Sequence, residues 1–230
     1  MRSRGDAGAS ARARYRALVA EHRRERLLVR ALVAAGAGVV AAGLGGWTAG
    51  TAAAVAVFAG HAACMWARPG PMSGWRQGAR AERATGRRLA RLDPAGYRVL
   101  HDRALPGAAT NIDHLVIGLT GVYVIASRHR RRFARTRGEQ ERRAAEVAAR
   151  IGASVAALLS AELDYKLTVV PLVAVHGAQG PRGGTRHGDV LLLPVKEVAG
   201  EVAERRAVFS AEQVATIADA AARVFPVMRS

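Results

Sequence analysis

A long run without charged side chains constrains this chain more than any other feature. Residues 31–66 contain no Asp, Glu, Lys or Arg. One helix of that length would reach about 54 Å at a rise of about 1.5 Å per residue, whereas the hydrocarbon core of a bilayer is about 30 Å thick. The glycine-rich stretch at residues 43–51 weakens helix, and Trp47 within it suits a membrane interface. The run therefore predicts two transmembrane spans, at residues 28–44 and 48–66, which together form a helical hairpin.

The charges on either side of this run predict its orientation. Residues 1–30 carry nine Arg and three acidic residues, and more Arg follow the second span. Arg-rich flanks stay on the cytoplasmic side of a membrane. We therefore expect a multi-pass protein of the cell membrane, with a basic N-terminal segment at residues 1–26, a transmembrane hairpin at residues 27–66 and a cytoplasmic C-terminal domain. The basic segment could also contact anionic lipid or nucleic acid, but a topology determinant with a frayed tail is the simpler interpretation.

Three alternatives to a membrane hairpin fit the apolar run less well. A signal peptide is disfavoured because the leader before the run is too long. A lipoprotein signal ending at Cys64 would lie too far from Met1, and it has His61 where an apolar residue is expected. A soluble pair of Ala- and Gly-rich helices is the third alternative, since these residues insert weakly.

The charge balance and the cysteine content exclude some classes of function and favour others. The chain has 35 Lys and Arg against 18 Asp and Glu, a formal net charge of +17. Such a charge predicts attraction to anionic partners, either nucleic acid or an acidic membrane surface. Cys64 is the one cysteine in the sequence, so a disulfide framework and a cysteine-based zinc site are both excluded.

The rest of the chain predicts an α/β domain at residues 75–230, after a linker at residues 67–74. Helical spacing and strand alternation give the order helix, three strands, helix, strand, followed by further elements. The helices are expected at residues 77–92, 139–160 and 210–224, the last opened by a capping box from Ser210 to Gln213, and the strands at 97–102, 111–118, 122–127, 167–177 and 189–195.

Two of these strands form a tight hairpin that carries one carboxylate among apolar residues. The pairing sets Leu115 opposite Val124 and Asp113 opposite Ala126, with Arg128 on the same face as Asp113. An acid and a cation at the open end of a hairpin suit a divalent metal with a phosphate beside it. His114 points to the opposite face, so we expect it to pack or to form hydrogen bonds.

Three sequence segments resemble a known family. They are GARAER at residues 78–83, HDRALPGAATNIDHLVIGLTGVYVIAS at residues 101–127 and VVPLVAVHGAQ at residues 169–179. Together they resemble the nuclease-related domain, NERD, over about residues 75–195. That family is placed with the restriction-endonuclease-like PD-(D/E)XK nucleases, whose core has the order helix, three strands, helix, strand. The resemblance implies phosphodiester hydrolysis with Mg²⁺ or Mn²⁺ as cofactor.

The resemblance also implies roles for individual residues. Glu82 matches the helix glutamate of the family and Asp113 its first-strand acid, so these two would hold the metal and, together with Arg128, would be the catalytic residues. The family usually ends the next strand with Asp-x-Lys, but this chain has Ala126 and Arg128 at those positions. Ala81 likewise replaces a glycine of the family's GAxGE pattern. The loss of an acid and a lysine implies impaired catalysis.

A basic run begins at the candidate site. Residues 128–143 contain eight Arg against two acids, Glu139 and Glu141, which are also the nearby candidates for a replacement metal ligand. Phosphate contacts are expected from Arg130, Arg131, Arg132, Arg135 and Arg137, with Phe133 available for stacking. Two alternatives remain for this run, a solvated surface in an Arg-biased protein and contact with anionic lipid.

These observations leave three hypotheses of function. We favour a membrane-anchored, catalytically impaired member of the family that binds nucleic acid, DNA rather than RNA. The alternatives are an active metal-dependent nuclease with an altered site and a non-catalytic membrane scaffold whose soluble domain contacts protein.

Overall fold

A six-stranded mixed sheet organises the part of the chain that follows the apolar run. The computed structural model describes residues 6–21, 23–67, 71–130, 137–177 and 181–228. The strands are β1 (Arg98–Ala104), β2 (Asn111–Gly118), β3 (Gly121–Arg130), β4 (Val169–Gly177), β5 (Thr185–His187) and β6 (Val190–Pro194). Their order across the sheet is β1-β2-β3-β4-β6-β5. The sheet and its helices confirm the predicted α/β class.

Strand directions follow from the connections. Short turns join β1, β2 and β3 as an antiparallel meander, whereas β3 pairs in parallel with β4 across an intervening helix. β4 and β6 are also parallel, and β5 closes the edge antiparallel to β6. Leu115 pairs with Val124 and Ile117 with Val122, so the meander has the register that the sequence predicts.

Helices cover both faces of the sheet. They are α3 (Pro71–Leu89), which continues as a 3₁₀ segment (Ala90–Ala95), α4 (Arg137–Leu163), α5 (Val198–Ala203) and α6 (Ala211–Val224). On one face, Leu115 and Val124 pack with residues of α4 and α6. On the other face, Val116 and Ile125 pack with Leu89 of α3 and with α5. Alternate residues of the central strands therefore face two different apolar cores.

Two helix starts differ in how well the sequence predicts them. Ser210 accepts a hydrogen bond from the Gln213 N–H, and the Gln213 side chain bonds back to the Ser210 N–H, so the predicted capping box is confirmed. α3 begins at Pro71, six residues before the expected start. Proline is favoured in the first turn of a helix, where its missing N–H costs no hydrogen bond, so Pro71 suits this start.

The chain divides into two compact units. The described residues up to Ala11 belong with those from Gln77 onward, and Arg12–Arg76 form the other unit. Within the predicted N-terminal tail lies a helix, α1 (Ala9–Glu21), so part of that segment is ordered and its first residues join the sheet-containing unit.

An apolar helix dominates the other unit. α2 (Arg23–Ala67) is interrupted at Gly46, whose φ of 80° and ψ of 177° are not helical. A Cβ added at Gly38 would lie 3.0 Å from the Ala54 Cβ, and one added at Gly50 would lie 2.7 Å from the Ala42 Cβ. The segments before and after Gly46 therefore contact each other through small residues.

Among the residues that the structure describes, two helices are long and apolar enough to cross a membrane. The first is Leu27–Cys64 within α2, with 11% of its most apolar window buried, and the second is Gly138–Leu163 within α4, with 33% buried. α4 packs against the sheet through Ile151, Val155 and Leu159, as the core helix of a soluble domain does. The apolar helix near the N-terminus is compatible with a membrane anchor.

Candidate functional site

Asp113 lies where the β2–β3 pairing ends. The last paired residues of the two strands are His114 and Ile125, and beyond them the carboxylate of Asp113 takes the place of a backbone partner. Its Oδ2 accepts a hydrogen bond from the Ser127 N–H at 2.8 Å and one from the Arg128 guanidinium at 3.1 Å. Burial raises the pKa of Asp113, while Arg128 and the Ser127 N–H oppose that shift. The structure thus brings Asp113 and Arg128 into a direct ion pair.

Glu82 lies on the face of α3 that packs against the sheet. That face is formed by Ala79, Ala81, Glu82, Thr85, Gly86 and Leu89, all of them buried. The Glu82 side chain is 8% exposed, and its Oε2 has no hydrogen-bond partner among the residues that the structure describes. Burial raises the pKa of Glu82 to about 8, and the charges of Asp113 and Asp102 add to the shift, while Arg128 opposes it. Glu82 is therefore largely protonated at neutral pH.

Asp102 is a third acid at this place, and it is not among the site residues predicted from the sequence. The register of β1 with β2 sets Asp102 opposite Asp113. Asp102 is fully buried with a φ of 49°, and its Oδ1 accepts a hydrogen bond from the Asn111 amide at 2.8 Å. Its carbonyl accepts one from the Met228 N–H, so the C-terminal residues hold this part of β1. Asp102 lies in β1 between the half-buried His101 and the buried Arg103, in a strand whose burial does not alternate, so no pattern in the sequence identifies it.

A network of hydrogen bonds ties α3 to four strands, β1 to β4, beside these acids. The Nδ1 atoms of His101 and His114 lie 2.8 Å apart and form a hydrogen bond, and His114 Nε2 lies 3.2 Å from the Ser127 hydroxyl. Ser127 donates to the Thr85 hydroxyl, which lies 2.8 Å from His176 Nε2. Burial lowers the pKa of His114 well below its usual value and that of His176 to about 4, so both are neutral at physiological pH. The network fixes the position of the helix that carries Glu82.

The acids do not fit a resident divalent metal in this arrangement. Mg²⁺ prefers carboxylate oxygens, but the accessible charge of Asp113 is already offset by the guanidinium of Arg128. Glu82 is protonated, and both carboxylate oxygens of Asp102 accept hydrogen bonds. Within the described ranges, no group of three or more His, Cys, Asp or Glu side chains could hold a metal ion.

The two candidate replacement acids are engaged elsewhere. Glu139 forms an ion pair with Arg143 one helical turn away, and Glu141 Oε2 lies 3.7 Å from His187 Nε2 on β5. The charged groups that shift the pKa of Glu82 are Asp113, Asp102 and Arg128, and neither glutamate is among them.

The basic run after β3 is described only at its ends. Arg130 is the last residue of β3 and Arg137 the first of α4, whereas Arg131, Arg132 and Arg135 lie outside the described residues. The structure therefore leaves these five predicted phosphate contacts untested.

A second basic surface was missed from the sequence. α3 and the 3₁₀ segment present five arginines on the side away from the sheet, with Arg80, Arg87 and Arg91 exposed and Arg83 and Arg88 half-buried. In the part of the chain that the structure describes, none of the five forms an ion pair with an acid. Their spacing, close to one per helical turn, was the available signal. We call these five residues the α3 arginine face.

Comparisons with known proteins give one match. No curated protein and no solved structure matches this chain. Residues 77–175, which include most of α3, the β1–β2–β3 meander, α4 and most of β4, match the family model of the nuclease-related domain, NERD.

Proposed function

We propose that this protein is a membrane-anchored, nuclease-related protein that binds nucleic acid at the cytoplasmic face of the cell membrane and whose phosphodiester cleavage is impaired. The match of residues 77–175 to the nuclease-related domain supports the first part. The Arg128 guanidinium, 3.1 Å from Asp113 Oδ2, is the observation that carries the last part.

Arg128 opposes metal binding for two physical reasons. A guanidinium is permanently protonated, so it keeps its charge at any physiological pH, and it pairs with a carboxylate in a fixed planar geometry. A divalent cation would have to displace the guanidinium from Asp113. The second carboxylate that the family supplies is also missing, because the residue at that position is Ala126. Proximity of two cations is unfavourable, particularly where burial lowers the local dielectric constant.

The α3 arginine face supports binding to nucleic acid. Guanidinium groups without acidic partners bind phosphates and release the counterions condensed on a nucleic acid. The face belongs to the helix that also carries Glu82, but Glu82 lies on the buried side of that helix and the arginines lie outside it. DNA is the proposed substrate class, because the PD-(D/E)XK resemblance is to nucleases of restriction-endonuclease type. The arrangement of α3, the meander, α4 and β4 supports that fold assignment.

Anchoring in the membrane rests on α2. Its apolar stretch runs over Leu27–Cys64 with a mean hydropathy of 2.1 in its most apolar window, and glycines allow its two segments to approach closely. Small residues at helix contacts are typical of membrane helices. We propose that the two segments form a transmembrane hairpin with both ends cytoplasmic, and that anionic lipid is a further partner of the basic flanks.

A second candidate function is favoured by one specific observation. The Glu82 Oε2 is buried with no hydrogen-bond partner among the described residues, which is unusual for a carboxyl group and is typical of a group that binds a ligand or takes part in a reaction. An active nuclease with an altered site that takes up Mg²⁺ or Mn²⁺ together with substrate phosphates remains the alternative. The third hypothesis, a membrane scaffold, has no comparable observation in its favour.

Binding and cleavage assays on the full-length protein in detergent test the proposal. We expect fluorescence anisotropy to detect binding of a labelled DNA duplex of arbitrary sequence, with an affinity that falls steeply from 50 to 200 mM salt, since each phosphate contact contributes about −0.9 to the logarithmic slope. We expect no cleavage with Mg²⁺ or Mn²⁺. Cleavage that disappears in an Asp113→Asn variant would support the second candidate, and failure to bind DNA at low salt would contradict the proposal.

A further inference from the structure

The N-terminal segment occupies the pocket beside Glu82. We define this segment as residues 6–11, which precede the apolar helix α2 in sequence but belong to the same unit as the sheet. Two anchoring points, at Asp102 and on the surface of α3, hold it there. Neither is explained by membrane anchoring or by nucleic-acid binding.

The first anchor is the carboxylate of Asp102, which caps the start of α1. The Ser10 N–H donates to Asp102 Oδ2 at 2.7 Å, and the Ser10 hydroxyl donates to Oδ1 at 2.7 Å. Ser10 is the second residue of α1, so its N–H is one of the groups at the helix start that lack a partner within the helix. A carboxylate at this end is also favoured by the helix dipole. Asp102 therefore supplies, from 92 residues away, the cap that the local sequence of α1 does not.

The second anchor is close packing of small residues against α3. Gly8 is buried, and a Cβ added there would lie 2.9 Å from the Ala79 carbonyl oxygen and 3.4 Å from Glu82 Oε2. A Cβ added at Gly86, one turn further along α3, would lie 2.8 Å from the Ala7 Cβ. Gly8 also has a φ of 71°, a conformation that glycine adopts readily and other residues rarely do. The sequence Ala-Gly-Ala-Ser fits this surface because larger side chains would collide with α3.

We propose that the pocket formed by Asp102, Asn111 and the Ala79–Gly86 surface of α3 is a docking site for residues 6–11, and that the docked segment closes access to the carboxyl group of Glu82. The segment lies against Glu82 Oε2, the oxygen for which the described part of the chain supplies no hydrogen-bond partner. Undocking exposes this carboxyl to solvent and to any ligand of the acidic site. The N-terminal segment thus acts as an intramolecular cover whose release is a precondition for chemistry or binding at Glu82.

Chemical labelling of Glu82 in the full-length protein tests the cover. A water-soluble carbodiimide with glycine ethyl ester modifies accessible protonated carboxyl groups, and mass spectrometry of the Glu82 peptide gives the rate. We expect Gly8→Val to accelerate labelling by about tenfold, which corresponds to about 1.4 kcal/mol of docking free energy. The matched control is Gly188→Val, because Gly188 also has a positive φ, of 57°, but has nothing within 4 Å of an added Cβ. It should leave the rate unchanged.

A disulfide trap provides an independent measurement. In a Cys64→Ser background, Ala7→Cys with Gly86→Cys should oxidise readily, since the Cβ–Cβ separation of 2.8 Å needs only a shift of about 1 Å to reach disulfide geometry. The oxidised protein should label at Glu82 more slowly than the reduced protein. Ala7→Cys with Gly188→Cys should not form an intramolecular bond. The proposal is overturned if the first pair fails to cross-link, or if Glu82 labels at the same rate in the oxidised protein, the reduced protein and Gly8→Val.

Discussion

At the scale of single residues, the identity of position 128 decides what the acidic site can bind. Lysine and arginine carry the same charge, but the planar guanidinium forms a directional pair with a carboxylate, whereas an ammonium group is a compact point charge. Arg128 contacts Asp113 and its own neighbour's backbone, the Ser127 carbonyl, at 2.8 Å. It is therefore held in place and not simply near the acid.

Restoring the family residues should restore metal affinity. We expect Ala126→Asp with Arg128→Lys to bind Mn²⁺ measurably in isothermal titration calorimetry, where the unmodified protein does not, because a second carboxylate joins Asp113 and the guanidinium is removed. Cleavage of DNA in the presence of Mn²⁺ is expected only in this variant. Adding Asp113→Asn should abolish both. Arg128→Lys alone is the control, and metal affinity in that single variant would show that the second acid is dispensable.

The raised pKa of Glu82 predicts a pH dependence of stability. The folded protein holds the Glu82 proton up to a pH of about 8, whereas the unfolded chain releases it near 4.5. Between these values the folded state binds more protons, so the contribution of Glu82 to the free energy of unfolding decreases as pH rises. Glu82→Gln should remove this decrease and unfold at a higher temperature than the unmodified protein at pH 8.5. The exposed Glu146→Gln is the control, and identical pH profiles for all three proteins would contradict the prediction.

The sequence predicts which residues form the site better than it predicts how deeply they are buried. Glu82 and Asp113 are predicted from the family resemblance, and their placement together follows from α3 packing on the meander. The burial of Glu82 could not be predicted, because it depends on Gly8 and on a neighbouring face of the sheet. Asp102 was missed because a left-handed backbone conformation at an aspartate leaves no pattern in a single sequence.

At the scale of elements, α3 combines two functions on opposite sides of one helix. Its buried side positions Glu82, and its exposed side forms the α3 arginine face. Arg→Ala changes at positions 80, 87 and 91 should weaken DNA binding about tenfold at 100 mM salt. The slope of the logarithm of the binding constant against the logarithm of the salt concentration should become less steep by up to about three units, one for each lost phosphate contact.

The control for this prediction removes the same charge elsewhere. Arg150, Arg186 and Arg206 are exposed and lie outside α3. If their replacement by Ala weakens DNA binding as much as the α3 variant does, only net charge matters and the α3 arginine face is not a binding surface.

The contacts within α2 predict which glycines tolerate a side chain. A side chain at Gly50 would collide with Ala42 and with the Gly38 carbonyl oxygen, 2.8 Å from an added Cβ, whereas Gly43 has open space around it. Gly50→Val should therefore separate the two segments of α2 and lower the midpoint of thermal unfolding in detergent by several degrees relative to Gly43→Val, since helix contacts in membranes contribute about 1 kcal/mol each. Equal midpoints would mean that the contact at Gly50 does not contribute to the thermal stability of the protein.

Elements with a strong local pattern were predictable, and those that depend on distant partners were not. The meander and α6 carry alternation or a capping box in their own sequences. α1 has no capping residue of its own and no apolar face, so nothing in its own residues predicts a helix before the apolar run. Its first turn is capped by Asp102, which lies 92 residues further along the chain than Ser10.

At the scale of the whole molecule, the charged flanks predict the topology. Arg residues on both sides of α2 should keep the N-terminus and the C-terminal domain in the cytoplasm. A reporter enzyme that is active only in the cytoplasm should be active when fused at residue 230, and one that requires export should be inactive there. The opposite pattern would reverse the proposed orientation. A fusion at residue 46 is the control and should show the exported pattern.

The hydrogen bonds between Ser10 and Asp102 join two points of the chain that α2 separates. If α2 lies in a bilayer, this joining requires an even number of crossings, because an odd number would leave the partners in different compartments. The contact also cannot form until residue 102 has left the ribosome, after all of α2 has been synthesised. The N-terminal segment could then close over Glu82 only after α2 has been inserted with an even number of crossings. A chain inserted with an odd number of crossings would leave Glu82 uncovered.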